Sequence, residues 1–327
     1  MMPTAQRRLL FLLLALLSIA SVLFSAAIGS VTLSSEQWWS ALFEPGSDFG
    51  ELVWRIRLPR AAAAWTVGAL LSLSGCLMQV LLRNPLADPY ILGVSGGASF
   101  AALFGMSVGV TAALLPALAW AGALISIVVV FGLARGEGPW SGTRLLLTGV
   151  VTASGWAALI SLLLTLGPDG SLRGMLFWLI GDLSYARLPG WVLVILLSIF
   201  AASLGMARSL NVLAMGETTA RLLGEPTRKL LWTVYLLASV LTATAVSIAG
   251  NIGFVGLIVP HLMRLLVGSD HRILLPSAAL FGGLFLVLSD TLARTVLAPR
   301  QLPVGVVTAL LGVPLFLMLL NRARVNQ

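Results

Sequence analysis

Leu9–Ile28 reads LLFLLLALLSIASVLFSAAI, an uncharged run of twenty residues. At a rise of about 1.5 Å per residue, a helix of this length spans the ~30 Å hydrocarbon layer of a bilayer. The run has no alternation of apolar and polar positions, so it reads as a helix rather than a barrel strand. Arg7 and Arg8 precede it. It is longer than the ~7–15-residue apolar stretch of a secretory signal and is expected to be a retained first helix. Ser25, Ala26 and Ala27 leave a cleaved signal as the alternative.

Similar runs recur along the chain. The expected spans are 9–28, 61–82, 91–108, 113–134, 143–166, 190–207, 230–249, 254–267, 273–292 and 303–321, about ten transmembrane helices in one domain covering 1–327. The eighth is short and carries Pro260 and Arg264. The whole chain of 327 residues is 58% hydrophobic and 10% charged, with a mean hydropathy of +1.00. A soluble protein of this size needs far more polar surface. In lipid every backbone N–H and C=O must be satisfied within the protein, so the fold class is an all-α integral membrane protein.

The net charge of +8 does not indicate nucleic-acid binding, because the cations stand singly or in pairs between apolar runs. They set orientation instead. With the N-terminus in the cytoplasm, thirteen of the twenty Lys and Arg fall inside, Arg208, Arg221, Arg228 and Lys229 among them. The seven outside are Arg55, Arg57, Arg60, Arg173, Arg187, Arg294 and Arg300. This split predicts a multi-pass protein with both termini cytoplasmic. The crowding of Arg55, Arg57 and Arg60 is left unexplained and suggests a binding surface. The external connection 29–60 carries Trp38, Trp39 and Trp54, suited to a membrane-interface belt. The external segment 167–189 is expected to hold a short helix from Ser171 to Ile180. The lone Cys76 excludes an intrachain disulfide, and with only two histidines no metal cluster is expected.

Several motifs stand out. Arg83-Asn84-Pro85-Leu86-Ala87-Asp88-Pro89-Tyr90, followed by Gly93-Val94-Ser95-Gly96-Gly97, is either a tight loop or broken backbone lining a pathway. Gly93 to Gly97 also fits the G-x-S-x-G pattern, which makes an intramembrane serine protease using Ser95 the enzyme alternative. No strand precedes it, and the match is short. Gly149-Val150-Val151-Thr152-Ala153 recurs as Gly305-Val306-Val307-Thr308-Ala309, the mark of opposed repeats. Asp290 and Arg294 are spaced to pair along one helix face. On the cytoplasmic side, within 208–229, Gly216-Glu217-Thr218-Thr219-Ala220-Arg221-Leu222-Leu223-Gly224 reads as a short amphipathic helix for a membrane surface or a partner's groove. No Walker A sequence is present, so any ATP site belongs to another chain.

These motifs together resemble one family. Ile56-Arg57-Leu58-Pro59-Arg60, then Asn84 to Pro89 with Leu92-Gly93-Val94-Ser95, the Gly216–Gly224 stretch, Gly253-Phe254-Val255-Gly256-Leu257-Ile258-Val259-Pro260-His261 and Leu302-Pro303-Val304-Gly305-Val306-Val307-Thr308 follow in order. The chain is similar, nearly end to end, to the FecCD permeases of ABC importers for iron-siderophores, haem and vitamin B12. The resemblance implies a type II ABC importer permease fold in the inner membrane and a homodimer with the pathway on its axis. It also implies two ATP-binding cassette subunits and a periplasmic or lipid-anchored binding protein, with no cofactor and no catalysis in this chain. The fifth and tenth spans, with Gly149, Thr152, Gly305 and Thr308, would line the pathway. Asn84 and Leu86 match a cytoplasmic gate, and Ser141, Gly142 and Thr143 a second. Gly142 departs from the hydroxyl residue of the vitamin B12 permease. Gly216, Glu217, Ala220, Arg221, Leu222, Leu223 and Gly224 would couple to the ATPase. Arg57, Arg60 and Arg294 would meet carboxylates of the binding protein, with Asp290 competing for Arg294.

Overall fold

The computed structural model describes residues 4–325 apart from 30, 32, 135–141 and 185. The first long apolar run forms α1 (Thr4–Ala27). A capping box then starts α2 (Ser35–Phe43): the Gln37 amide donates to Ser34 Oγ at 3.3 Å, and the Ser34 amide donates to Gln37 Oε1 at 2.9 Å. Ser47 caps α3 (Asp48–Glu51), which runs through a π-helical segment, Leu52–Arg57, into α4 (Leu58–Leu81). The three pieces form one apolar helix, Asp48–Leu81. The first turns of this helix cover 48–60, which the sequence reading gave only as an external connection. Arg57 and Arg60 are buried and partnered there, while Arg55 pairs with Glu51 at the surface.

The chain continues through α5 (Val94–Ser107), α6 (Leu115–Ala134), α7 (Gly142–Leu166) and α8 (Asp169–Ile180). Then come α9 (Gly190–Gly205), α10 (Ala207–Ala214), α11 (Glu217–Leu222), α12 (Thr227–Ala249), α13 (Val255–Val267), α14 (His271–Thr295) and α15 (Val304–Val325). Helix α8 is the short helix expected from Ser171. Among the described residues six helices are long and apolar enough to cross a membrane, and α9 with α10, bent by 63°, makes a broken seventh. The other three expected spans coincide with the shorter apolar helices Val94–Ser107, Val255–Val267 and Val304–Met318. The protein is an all-α, multi-span membrane protein.

Helix α4 is the core. In the segment Asp48–Leu81, 89% of the most apolar window is buried, against 28% for α1, 33% for α6 and 11% for α7. It packs most extensively on α14 and α12. Backbone contact at glycines allows this closeness. A Cβ on Gly75 would lie 1.8 Å from the Gly256 carbonyl oxygen, and one on Gly68 would lie 2.2 Å from that of Gly282. Helices α5 and α13 are short because the backbone before each is not α-helical. A 3-10 turn at Pro89–Leu92 ends in Gly93 (φ 71°), and α13 is preceded by Phe254, also at φ 71°.

Candidate functional site

The loop after α4 is built by its own side chains. Arg83 takes a left-handed conformation (φ 49°). Asn84 Oδ1 then accepts from the Leu86 amide at 2.9 Å, closing an Asx turn ahead of the second proline. Asp88 Oδ1 accepts from the Tyr90 amide at 2.7 Å and so starts the 3-10 turn. Burial raises the Asp88 carboxyl to about 6, against the lowering pull of that amide bond. The Tyr90 hydroxyl donates to the Ile252 carbonyl at 3.0 Å and accepts from the Ile252 amide at 3.1 Å. One tyrosine thus ties the break before α5 to the break before α13.

A cavity of about 350 Å³ opens beside this loop. Leu82 and Arg83 line it from α4, Gly142 and Thr143 from the start of α7, and Leu213 and Glu217 from α10 and α11. Residues assigned separately to a gate and to a coupling segment therefore share one wall. Ser141 lies outside the described residues.

The segment expected to couple to an ATPase follows the 63° bend. Gly216 (φ 116°) admits the turn into α11, and Gly224 (φ 80°) the turn out of it. Ala220 is buried, while Leu222 and Leu223 are 85% and 63% exposed. Glu217 and Arg221 form the ion pair that their spacing predicts. Arg221 Nε also donates to Thr227 Oγ1 at 3.3 Å. On α10, Asn211 donates to Asp270 Oδ1 at 2.8 Å, accepts from the His271 amide at 2.9 Å and meets His271 Nδ1 at 2.6 Å. The Asn211 bond is the leading cause that holds the Asp270 carboxyl below its usual range. This three-residue pin fastens the coupling segment to the start of α14.

The FecCD transport family model matches residues 15–322. The chain belongs to this family. It is 39% identical to the hemin transport system permease protein HmuU of Yersinia pestis, over 98% of this chain and 97% of that protein. It is also 39% identical to the vitamin B12 import system permease protein BtuC of Salmonella typhi, over 95% and 94%. A solved inward-facing conformation of an ABC transporter of the metal-chelate type superposes with a TM-score of 0.83 at 32% identity, covering 96% of this chain and 99% of that one.

Within this FecCD fold, two sets of expected residues have structural surroundings that differ from the sequence reading. Arg57, Arg60 and Arg294, the residues expected to meet a binding protein, are only 3%, 8% and 5% exposed. Arg57 donates to the carbonyls of Ala27 (2.9 Å) and Val31. Arg60 reaches Asp290 at 2.8 and 3.0 Å and Gln301 at 3.0 Å. Arg294 lies 3.2 Å from the other oxygen of Asp290 and donates to Ser25 Oγ at 2.7 Å. The pairing of Asp290 with Arg294 read from their spacing is present, and Arg60 joins it.

The second set is the repeat. A Cβ on Gly149 would sit 2.5 Å from the Ile91 carbonyl oxygen, and one on Gly305 would sit 1.7 Å from that of Ile180. Thr308 is buried and donates to the Gly305 carbonyl at 3.1 Å. Thr152 Oγ1 is buried with no hydrogen-bond partner among the described residues. Within the single chain Gly149, Gly305 and Thr308 pack against neighbouring segments. Both repeat copies use glycine to admit a carbonyl from a broken segment.

Ser95 is buried in the first turn of α5, with no strand before it. The strand–turn–helix context of a nucleophile elbow is absent there, and the family is one of transporters, so the protease alternative falls. Among the described residues no group of three or more His, Cys, Asp or Glu is placed to hold a metal. The Asn211 pin and the Tyr90–Ile252 clamp were missed in the sequence. Each joins residues fifty-nine or more positions apart, and no local pattern announces them.

Proposed function

We propose that this chain is the membrane-spanning permease subunit of an ABC importer that carries a metal chelate such as haem, a corrinoid or a ferric siderophore. Two copies with about ten spans each, one domain apiece and both termini cytoplasmic, would enclose the pathway. Two ATPase subunits bind inside and a binding protein outside. The observation that carries the reading is the cavity shared by Arg83, Gly142, Thr143 and Glu217. It supports a reading in which Gly142 and Thr143, the expected gate residues, lie beside Glu217 of the segment that a partner would push. Closure of the ATPases would move α11, reshape this wall and alternate access, provided that the two states bind the partners differently. The likeness to haem and vitamin B12 permeases supports a large chelate as cargo without choosing one.

Leu222 and Leu223 supply the test. Both side chains face solvent, so truncating them leaves the fold intact, whereas a buried interface anchor is worth ~2 kcal/mol or more. Leu222→Ala with Leu223→Ala is expected to release the ATPase during co-purification or to abolish substrate-stimulated hydrolysis in reconstituted membranes. Normal co-purification, stimulation and transport in that variant would reduce the segment to a surface loop.

A further inference from the structure

An open groove of about 590 Å³ lies where α12 enters the membrane, lined by Glu225, Pro226, Thr227, Arg228, Lys229 and Trp232. Arg228 and Lys229 are exposed, and neither joins any of the ion pairs among the described residues. Their amides are in the first turn of the helix, where N–H groups have no helical acceptor and the helix dipole favours an anion. Against these two cations stands one carboxylate, Glu225, which leaves the groove with a net positive charge. A turn further in, the Trp232 ring lies 4.3 Å from that of Phe131 on α6 and 5.9 Å from that of Tyr235. The aromatic wall therefore has a fixed position.

The groove does not end at the tryptophan. Lys229, Trp232, Leu236 and Val240 follow at three- and four-residue steps, and all of them are exposed or partly exposed. They form one stripe down a helix of transmembrane length. Cations at the water boundary, an aromatic ring just below and an uncovered apolar stripe beneath match the three zones of a phospholipid: headgroup, glycerol region and acyl chain. A soluble anion would use the cations and leave the stripe bare. A docked soluble protein would not reach down a membrane span.

We propose that this groove binds one anionic phospholipid of phosphatidylglycerol type, its phosphate on Arg228 and Lys229 and an acyl chain along Trp232 and Leu236. Under the function proposed above the site lies in the cytoplasmic leaflet; the lipid chemistry of the groove does not rest on that reading. The test uses the full chain reconstituted in mixed phosphatidylcholine and phosphatidylglycerol vesicles. Spin-labelled lipids of each type report how many are held at the protein surface. The wild type is expected to prefer phosphatidylglycerol. Arg228→Gln with Lys229→Gln should lower that preference roughly thirty-fold, since each of the two juxtamembrane cations contributes about 1 kcal/mol. The charge-conserving Arg228→Lys with Lys229→Arg should keep it, which guards against misfolding. Trp232→Leu should lower it less. Excess inorganic phosphate should not displace the lipid. Three results would overturn the assignment: an unchanged preference in the double glutamine variant, full displacement by phosphate, or loss of ATPase co-purification with lipid preference intact.

Discussion

Asp290 has no exposed surface, and its two oxygens face Arg60 and Arg294. Removing one member of a buried pair leaves the other charge unsolvated, at a cost of ~3–5 kcal/mol. Asp290→Ala is therefore expected to lower the thermal midpoint of the detergent-solubilised permease sharply. Arg55→Ala, which breaks an exposed pair with Glu51, should change it by ~0–1 kcal/mol. Equal midpoints would show that the arginine cluster does not hold the outer ends of α1, α4 and α14 together. Asp88 gives a second test, in which the sign depends on pH. Its carboxyl is raised to about 6, so the folded state favours the protonated form. The contribution is present at low pH and is lost as pH rises through 6. Asp88→Asn keeps an oxygen for the Tyr90 amide without the charge. It should match the wild type in thermal midpoint near pH 3, below the ordinary aspartate value, and exceed it near pH 8; a constant difference would refute the assignment. At this scale the sequence was informative only over short distances. The Asp290–Arg294 pair was legible because both lie on one helix. The Arg60 partner was not, because it lies 230 positions away.

Asn211 pins the bent pair α9–α10 to the start of the long helix α14. Asn211→Ala removes the acceptor for His271 and the donor to Asp270, yet leaves Leu222 and Leu223 exposed for a partner. ATPase association should survive while transport per ATP hydrolysed falls at least about five-fold, the low end of typical coupling energies. Asp270→Asn, which preserves an acceptor oxygen, should behave as wild type. Loss of ATPase binding in the alanine variant would make the pin part of the docking surface instead. The elements themselves were readable wherever an apolar run was uninterrupted, as in α1, α7 and α12. The start of the second span was misread because Arg55, Arg57 and Arg60 counted as water-facing. Distant partners bury Arg57 and Arg60, Arg55 pairs locally with Glu51, and the helix begins at Asp48. Prolines and glycines marked the breaks before α5 and α13, but not the tyrosine that binds them.

For the whole molecule, orientation is open to labelling. In a Cys76→Ala background, Asp48→Cys should react with an impermeant maleimide from outside, and Thr218→Cys only after permeabilisation; both positions are exposed. Reaction at 218 in intact cells would invert the topology. The uneven packing leads further. Helix α7 is 11% buried in one subunit, whereas the segment containing α4 is 89% buried. Close backbone contact at Gly68–Gly282 and Gly75–Gly256 leaves no side-chain cushion between α4 and its neighbours α13 and α14, so none of the three can slide without a clash. A machine made this way has a chassis and moving panels. In deuterated buffer the amides of α4 and α14 should retain their protons longest, and those along α7 should exchange first. Adding ATP and the partner subunits should shift the pattern at the panels and leave the chassis unchanged.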